Sequence, residues 1–157
     1  MATIFRSDNC AYTKVPSLIR SAKAYAELDN GTPVVLGGLT TVNGINEREV
    51  FATSAASASA KDIWVVTTPE LMYDEIKKLG DFVNETDSIM RVVKLQKADI
   101  FSITNDKITG TPNVSTAAGL KPAAAGWTAG ASADGDFAKL IAIETVGTVT
   151  FYVYEVL

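Results

Sequence analysis

Apolar and polar residues alternate along much of this chain, and that spacing predicts strands, whose successive side chains point to opposite faces. Ala22, Ala24, Ala26 and Leu28 alternate with Lys23, Tyr25 and Glu27 before Asp29-Asn30-Gly31, a turn signal because Asn and Gly tolerate positive φ. The pattern predicts a hairpin whose return strand is 32–36, ended by Gly37-Gly38. Leu18, Ile19, Ala22 and Ala26 would also share a helical face across 15–28; the strand alternation of its second half is preferred. Asn43-Gly44 marks another turn before Glu49-Val50-Phe51-Ala52. Ile63-Trp64-Val65-Val66-Thr67 is apolar and largely β-branched on both faces, as a short buried strand would be. Further strands are expected at 89–95 and 100–104, with Asn105-Asp106 turning the chain toward 107–110. The end reads as a hairpin of 139–144 and 148–157 joined at Val146-Gly147. There Phe151, Val153 and Leu157 alternate with Tyr152, Tyr154 and Val156, so both faces are apolar and either a second sheet or another subunit covers one.

One helix is expected, over 68–79. Thr68-Pro69-Glu70 supplies a hydroxyl cap, proline at the first helical position and an acid near the positive end of the dipole. Leu71, Met72, Ile76 and Leu79 form its stripe, and Gly80 its stop. Residues 1–21, with Pro16 and few periodic apolar positions, read as an extended N-terminal arm. The Ala/Ser run 54–60 has little apolar area to bury and reads as an exposed loop. The Gly/Ala/Thr/Ser/Pro-rich stretch 110–135 reads as a long loop with one or two short strands, within which Trp127 either caps the core or awaits a partner. The organisation expected is therefore an arm, 1–21, and a single β-rich domain, 22–157: an antiparallel β-barrel or sandwich with one short helix.

Composition narrows the chemistry. The 157 residues include no histidine and one cysteine, Cys10, which removes the side chain that titrates nearest neutrality and the commonest metal ligand together. Without a histidine to activate it, Cys10 reads as a packed residue and not a nucleophile. One cysteine forms no internal disulfide, in keeping with folding in a reducing cytoplasm. The net charge is −4, with 14 Lys and Arg scattered among 18 Asp and Glu, which argues against nucleic acid as a partner. No apolar run approaches the roughly 18 residues of a membrane span, and Met1 to Asp8 lacks the layout of a signal peptide; neither a membrane nor export is expected.

The remaining candidates reduce to structural readings. Asp134 and Asp136 flank Gly135, and Asn84, Glu85 and Asp87 form a second polar cluster; neither has the ligand spacing of a calcium loop, and turn formation accounts for both. The sequons Asn84-Glu85-Thr86 and Asn113-Val114-Ser115 matter only in a secreted eukaryotic protein. The glycines at 37–38, 44 and 126–130 lack the phosphate-loop register, so no cofactor, metal or catalytic residue is assigned. Tyr25, Trp64, Tyr73, Trp127, Tyr152 and Tyr154 would suit a sugar-stacking platform or, more simply, strand packing.

Taken in order, Asn30-Gly31-Thr32-Pro33-Val34-Val35-Leu36, Ile63-Trp64-Val65-Val66 with Pro69-Glu70-Leu71-Met72-Tyr73, Met90-Arg91-Val92-Val93-Lys94-Leu95 with Ala98-Asp99-Ile100-Phe101, and Phe137-Ala138-Lys139-Leu140-Ile141-Ala142-Ile143-Glu144 resemble the head decoration, or cement, proteins of tailed bacteriophages. The similarity runs from about Ala22 onward and is a cadence of strands and turns without a diagnostic motif. It implies a β-rich domain on the outer surface of the capsid, often a homotrimer, that bridges capsomers of the major capsid protein lattice and contacts them partly through a terminal arm. On that resemblance the protein is expected to be a non-enzymatic virion component made in the host bacterial cytoplasm. The contacts would come from 1–21, 54–60 and 117–133. A carbohydrate-binding module, or a tail or baseplate protein, is the alternative.

Overall fold

Strands account for most of the chain, and they sort into two β bodies. The computed structural model describes residues 2–42, 45–70, 79–124, 126–130 and 136–157. Among these the strands are β1 (Phe5–Asn9), β2 (Ile19–Lys23), β3 (Pro33–Val42), β4 (Ile45–Ala55), β5 (Trp64–Val66), β6 (Ile89–Val93), β7 (Ile100–Thr104), β8 (Ile108–Thr109), β9 (Gly119–Ala123), β10 (Gly126–Ala129), β11 (Ala138–Val146) and β12 (Val149–Val156). A closed barrel runs β2-β4-β3-β5-β6, and a seven-stranded sheet runs β1-β7-β12-β11-β9-β10-β8. Pairing is antiparallel except for β2 with β4 and β10 with β8.

The two bodies share strands between their cores. In β5 and β6, alternate residues Trp64, Val66, Met90 and Val92 join Ala22, Ala24 and Val34 in one apolar cluster inside the barrel. Val65 and Val93, pointing the other way, join Phe101, Trp127, Leu140 and Tyr154 in the cluster that packs the barrel wall on the sheet. This is why 63–67 is apolar on both faces: each side of β5 meets a different core. The double-sided apolar pattern of β12 has the same origin in part, since Tyr154 and Val156 enter the shared cluster. On the opposite face of β12, Phe151 lies under the Arg6 guanidinium, 4.9 Å from its ring centre.

The mainly β architecture, the barrel, the buried strand at 64–66, the C-terminal hairpin and the two short strands within 110–135 agree with the sequence reading. Several local expectations need correction. The extended arm is built into both bodies: β1 pairs with β7, Phe5 stacks on Phe101 at 5.7 Å, Cys10 and Tyr12 are buried, and β2 closes the barrel. Two 3₁₀ turns, Ala11–Thr13 and Pro16–Leu18, interrupt these strands and erase the periodicity that would have announced them. The hairpin across Asp29-Asn30-Gly31 does not form, because β2 pairs with β4 and β6 and not with β3. The turn itself is present, with Thr32 N–H donating to the Asp29 carbonyl and Gly31 at φ +82°. Gly37-Gly38 does not end β3, which runs on to Val42 through irregular pairing between Leu36 and Leu39. The expected helix at 68–79 falls almost wholly on 71–78, outside the described residues; of its flanks, 68–70 carry no regular element and Leu79–Asp81 is a 3₁₀ turn.

Candidate functional site

The residues that attracted chemical readings in the sequence are mostly structural. Cys10 is buried, its thiol donates to the Ile100 carbonyl at 3.1 Å, and burial with Asp99 nearby pushes its pKa up to about 12, so it is held as a neutral thiol. Asn84 is 4% exposed and donates to the Leu28 carbonyl at 2.9 Å, which buries the acceptor of one sequon. It also lies 3.4 Å from Asn30 Oδ1, and Asn30 in turn accepts from Thr68 N–H and donates to its carbonyl. Asp87 takes a positive φ and pairs with Lys23, as a turn residue does. Asn113 caps the short turn Val114–Thr116 by accepting from Ser115 N–H.

The aromatic residues do not form a platform. Trp127, Tyr154 and Trp64 are buried, Tyr152 is half-buried against the shared core and Tyr73 lies outside the described residues, leaving Tyr25 as the exposed member. Trp127 therefore caps the core. Its ring packs on Phe137 at 5.2 Å and Phe101 at 6.5 Å.

Two surface features remain. The first is a cleft of about 370 Å³ between the end of the loop 57–60, the chain leaving β6, and β9. Lys61, Lys94, Lys97 and Lys121 line it, so cations that look scattered in the sequence converge in the fold. Lys94 pairs with Asp62 and lies 5.5 Å from the Trp64 ring centre; burial lowers its pKa. Lys121 stands 3.1 Å from Asp136, a carboxylate with a fully buried side chain that accepts no hydrogen bond among the described residues. Lys61 and Lys97 are exposed and have no ion-pair partner among those residues. Pro122, also on the cleft, sits where β9 no longer pairs with β11, so its missing N–H costs no ladder bond there. Of the Asp134/Asp136 pair, Asp134 lies outside the described residues.

The second feature is the outer edge of β11. β12 pairs with the whole strand, but β9 pairs only with Ala138 and Lys139, and beyond Leu140 no described strand lies on that side. Along this open stretch Ile141, Ile143 and Val146 are 38%, 44% and 58% exposed. A strand edge that no described strand covers beyond Leu140 is a template for pairing with another chain. Sequence alternation located the strand, but not its missing neighbour. Among the described residues no group of three or more Cys, Asp or Glu is arranged to hold a metal ion. The chain matches no protein-family model, no curated protein and no solved structure.

Proposed function

We propose that this protein is a structural component of a tailed-bacteriophage particle: a decoration protein that binds the outer surface of the assembled head and stabilises it by bridging capsomers. The observation that carries this reading is the open apolar edge of β11. Covering the exposed parts of Ile141, Ile143 and Val146 contributes about 2–4 kcal/mol before the cost of association, so the contact made once is weak. On a lattice the same contact is repeated by symmetry, and a homotrimer multiplies it further, so weak contacts become firm attachment without any reactive side chain. The loop 57–60, the exposed residues of β9 and β10, and the edge strand β1 are further contact surfaces in this reading. In this reading the protein is not an enzyme, its partners are the major capsid protein and itself, and it resides on the virion exterior.

The test is co-sedimentation of purified protein with expanded capsids that lack it. Binding at micromolar concentration, with extra density at capsomer junctions by electron microscopy, is expected. Protein that stays in the supernatant, or that polymerises alone into rings or tubes, would replace this reading with that of a tail or baseplate component.

A further inference from the structure

We infer that the lysine-lined cleft is a docking site for an acidic, partly apolar peptide segment of a protein partner. Four of the chain's 14 Lys and Arg converge there on a protein of net charge −4, so the cleft reverses the sign of the chain as a whole. Asp62 and Asp136 compensate Lys94 and Lys121, leaving Lys61 and Lys97 without an ion-pair partner among the described residues. That small excess suits one or two carboxylates and is too little for a polyanion, whose binding needs many phosphate contacts. The walls add a smaller apolar contribution: partly buried Phe137 lines the same space, backed by the buried side chains of Ile63, Leu95 and Val156. Lys121 is held against buried Asp136, so one cationic wall is fixed before anything docks. The cleft is bordered by residues of two segments proposed above to touch the lattice, Ala58 and Ala60 of the loop 57–60 on one side and Lys121 of β9 on the other. This inference thus rests on that reading for the identity of the partner, but not for the binding itself.

The probe is a short acetylated, amidated peptide alternating Leu and Glu, titrated into isotopically labelled full-length protein while amide resonances are followed. Shifts confined to 60–63, 94–97, 121 and 136–137 are expected, weakening as salt is added. K61E/K97E should lower the affinity about ten-fold, and the milder K61Q/K97Q by less, since exposed charge pairs are individually weak. Both variants change exposed side chains, and K61Q/K97Q carries the test should the charge reversal impair folding. A Leu/Lys peptide should be silent. Equal shifts from inorganic phosphate alone, shifts elsewhere, or unchanged affinity in the folded variants would overturn the inference. Capsid co-sedimentation separates the two claims: capsids bound equally by wild type and K61E/K97E would overturn the lattice as the cleft's partner and leave the decoration role standing. A peptide held in the cleft by a protein that ignores capsids would do the reverse.

Discussion

Trp127 donates its indole N–H to the Gly31 carbonyl across 2.7 Å, joining β10 of the sheet to the turn that leads into the barrel. Gly31 N–H donates in turn to the Val66 carbonyl, so the same residue is tied to a barrel strand. Trp127→Phe keeps an aromatic ring beside Phe137 but leaves the Gly31 carbonyl without its donor, and should cost about 1–3 kcal/mol. Trp127→Ala also opens a cavity and should cost about 3–5 kcal/mol. Chemical denaturation of the two variants measures both; a Phe variant as stable as wild type would show that water replaces the bond.

Gly126 takes φ +147°, and a Cβ there would stand 2.4 Å from the Lys107 carbonyl oxygen. Gly126→Ala therefore forces β10 away from the segment that opens β8, and is expected to cost about 2–4 kcal/mol. Gly38→Ala, whose Cβ meets nothing within 4 Å, serves as the control and should stay within about 0.5 kcal/mol of wild type. Thermal melts of the pair decide between local strain and a general intolerance of the sheets to substitution.

The Cys10 thiol ionises near 9.0 when free and at about 12 in the fold. Between those values the unfolded chain loses a proton that the folded chain keeps, so this group favours unfolding increasingly as pH rises; below the lower value it has no such effect. Cys10→Ala should flatten the fall of stability across that alkaline window by up to about 1.4 kcal/mol per pH unit. Tyr12 and Tyr154, whose pKa values burial also raises, keep part of the slope. A thiol reagent at neutral pH should modify native Cys10 only as fast as the chain opens.

Ile143 is 44% exposed on the open edge of β11. Ile143→Lys should change stability by no more than about 0.5 kcal/mol, while removing the apolar contact and adding a charge that blocks edge pairing. Unchanged melting with lost capsid binding is the expected pair of results, read by calorimetry and sedimentation. Undiminished binding would remove β11 from the interface.

What the sequence discloses and what it hides follow from the range of the interactions. Strand 64–66 and the C-terminal hairpin were legible because alternation and turn residues are local properties, and Gly147 sits at positive φ between paired Val146 and Val149. Partner choice is not local. Nothing in 19–23 says that this strand pairs with 50–52 and 89–93 instead of with the strand that follows it. The early residues read as an arm because the partners that order them are remote in sequence: Phe5 stacks on Phe101 and Cys10 donates to the Ile100 carbonyl, each about ninety positions away. The cleft was equally hidden, since Lys61, Lys94, Lys97 and Lys121 come from three separated segments and become neighbours only when the barrel meets the sheet.

The three residues of β5 have a bearing on how the molecule comes apart. Val65 belongs to one cluster and Trp64 with Val66 to the other, so melting either body strips the wall that covers its neighbour. Barrel and sheet should consequently lose structure in one cooperative step, with amide exchange at Val34 and at Leu140 slowing to the same global limit. A molecule built this way has no half-melted form to offer to heat or to a protease.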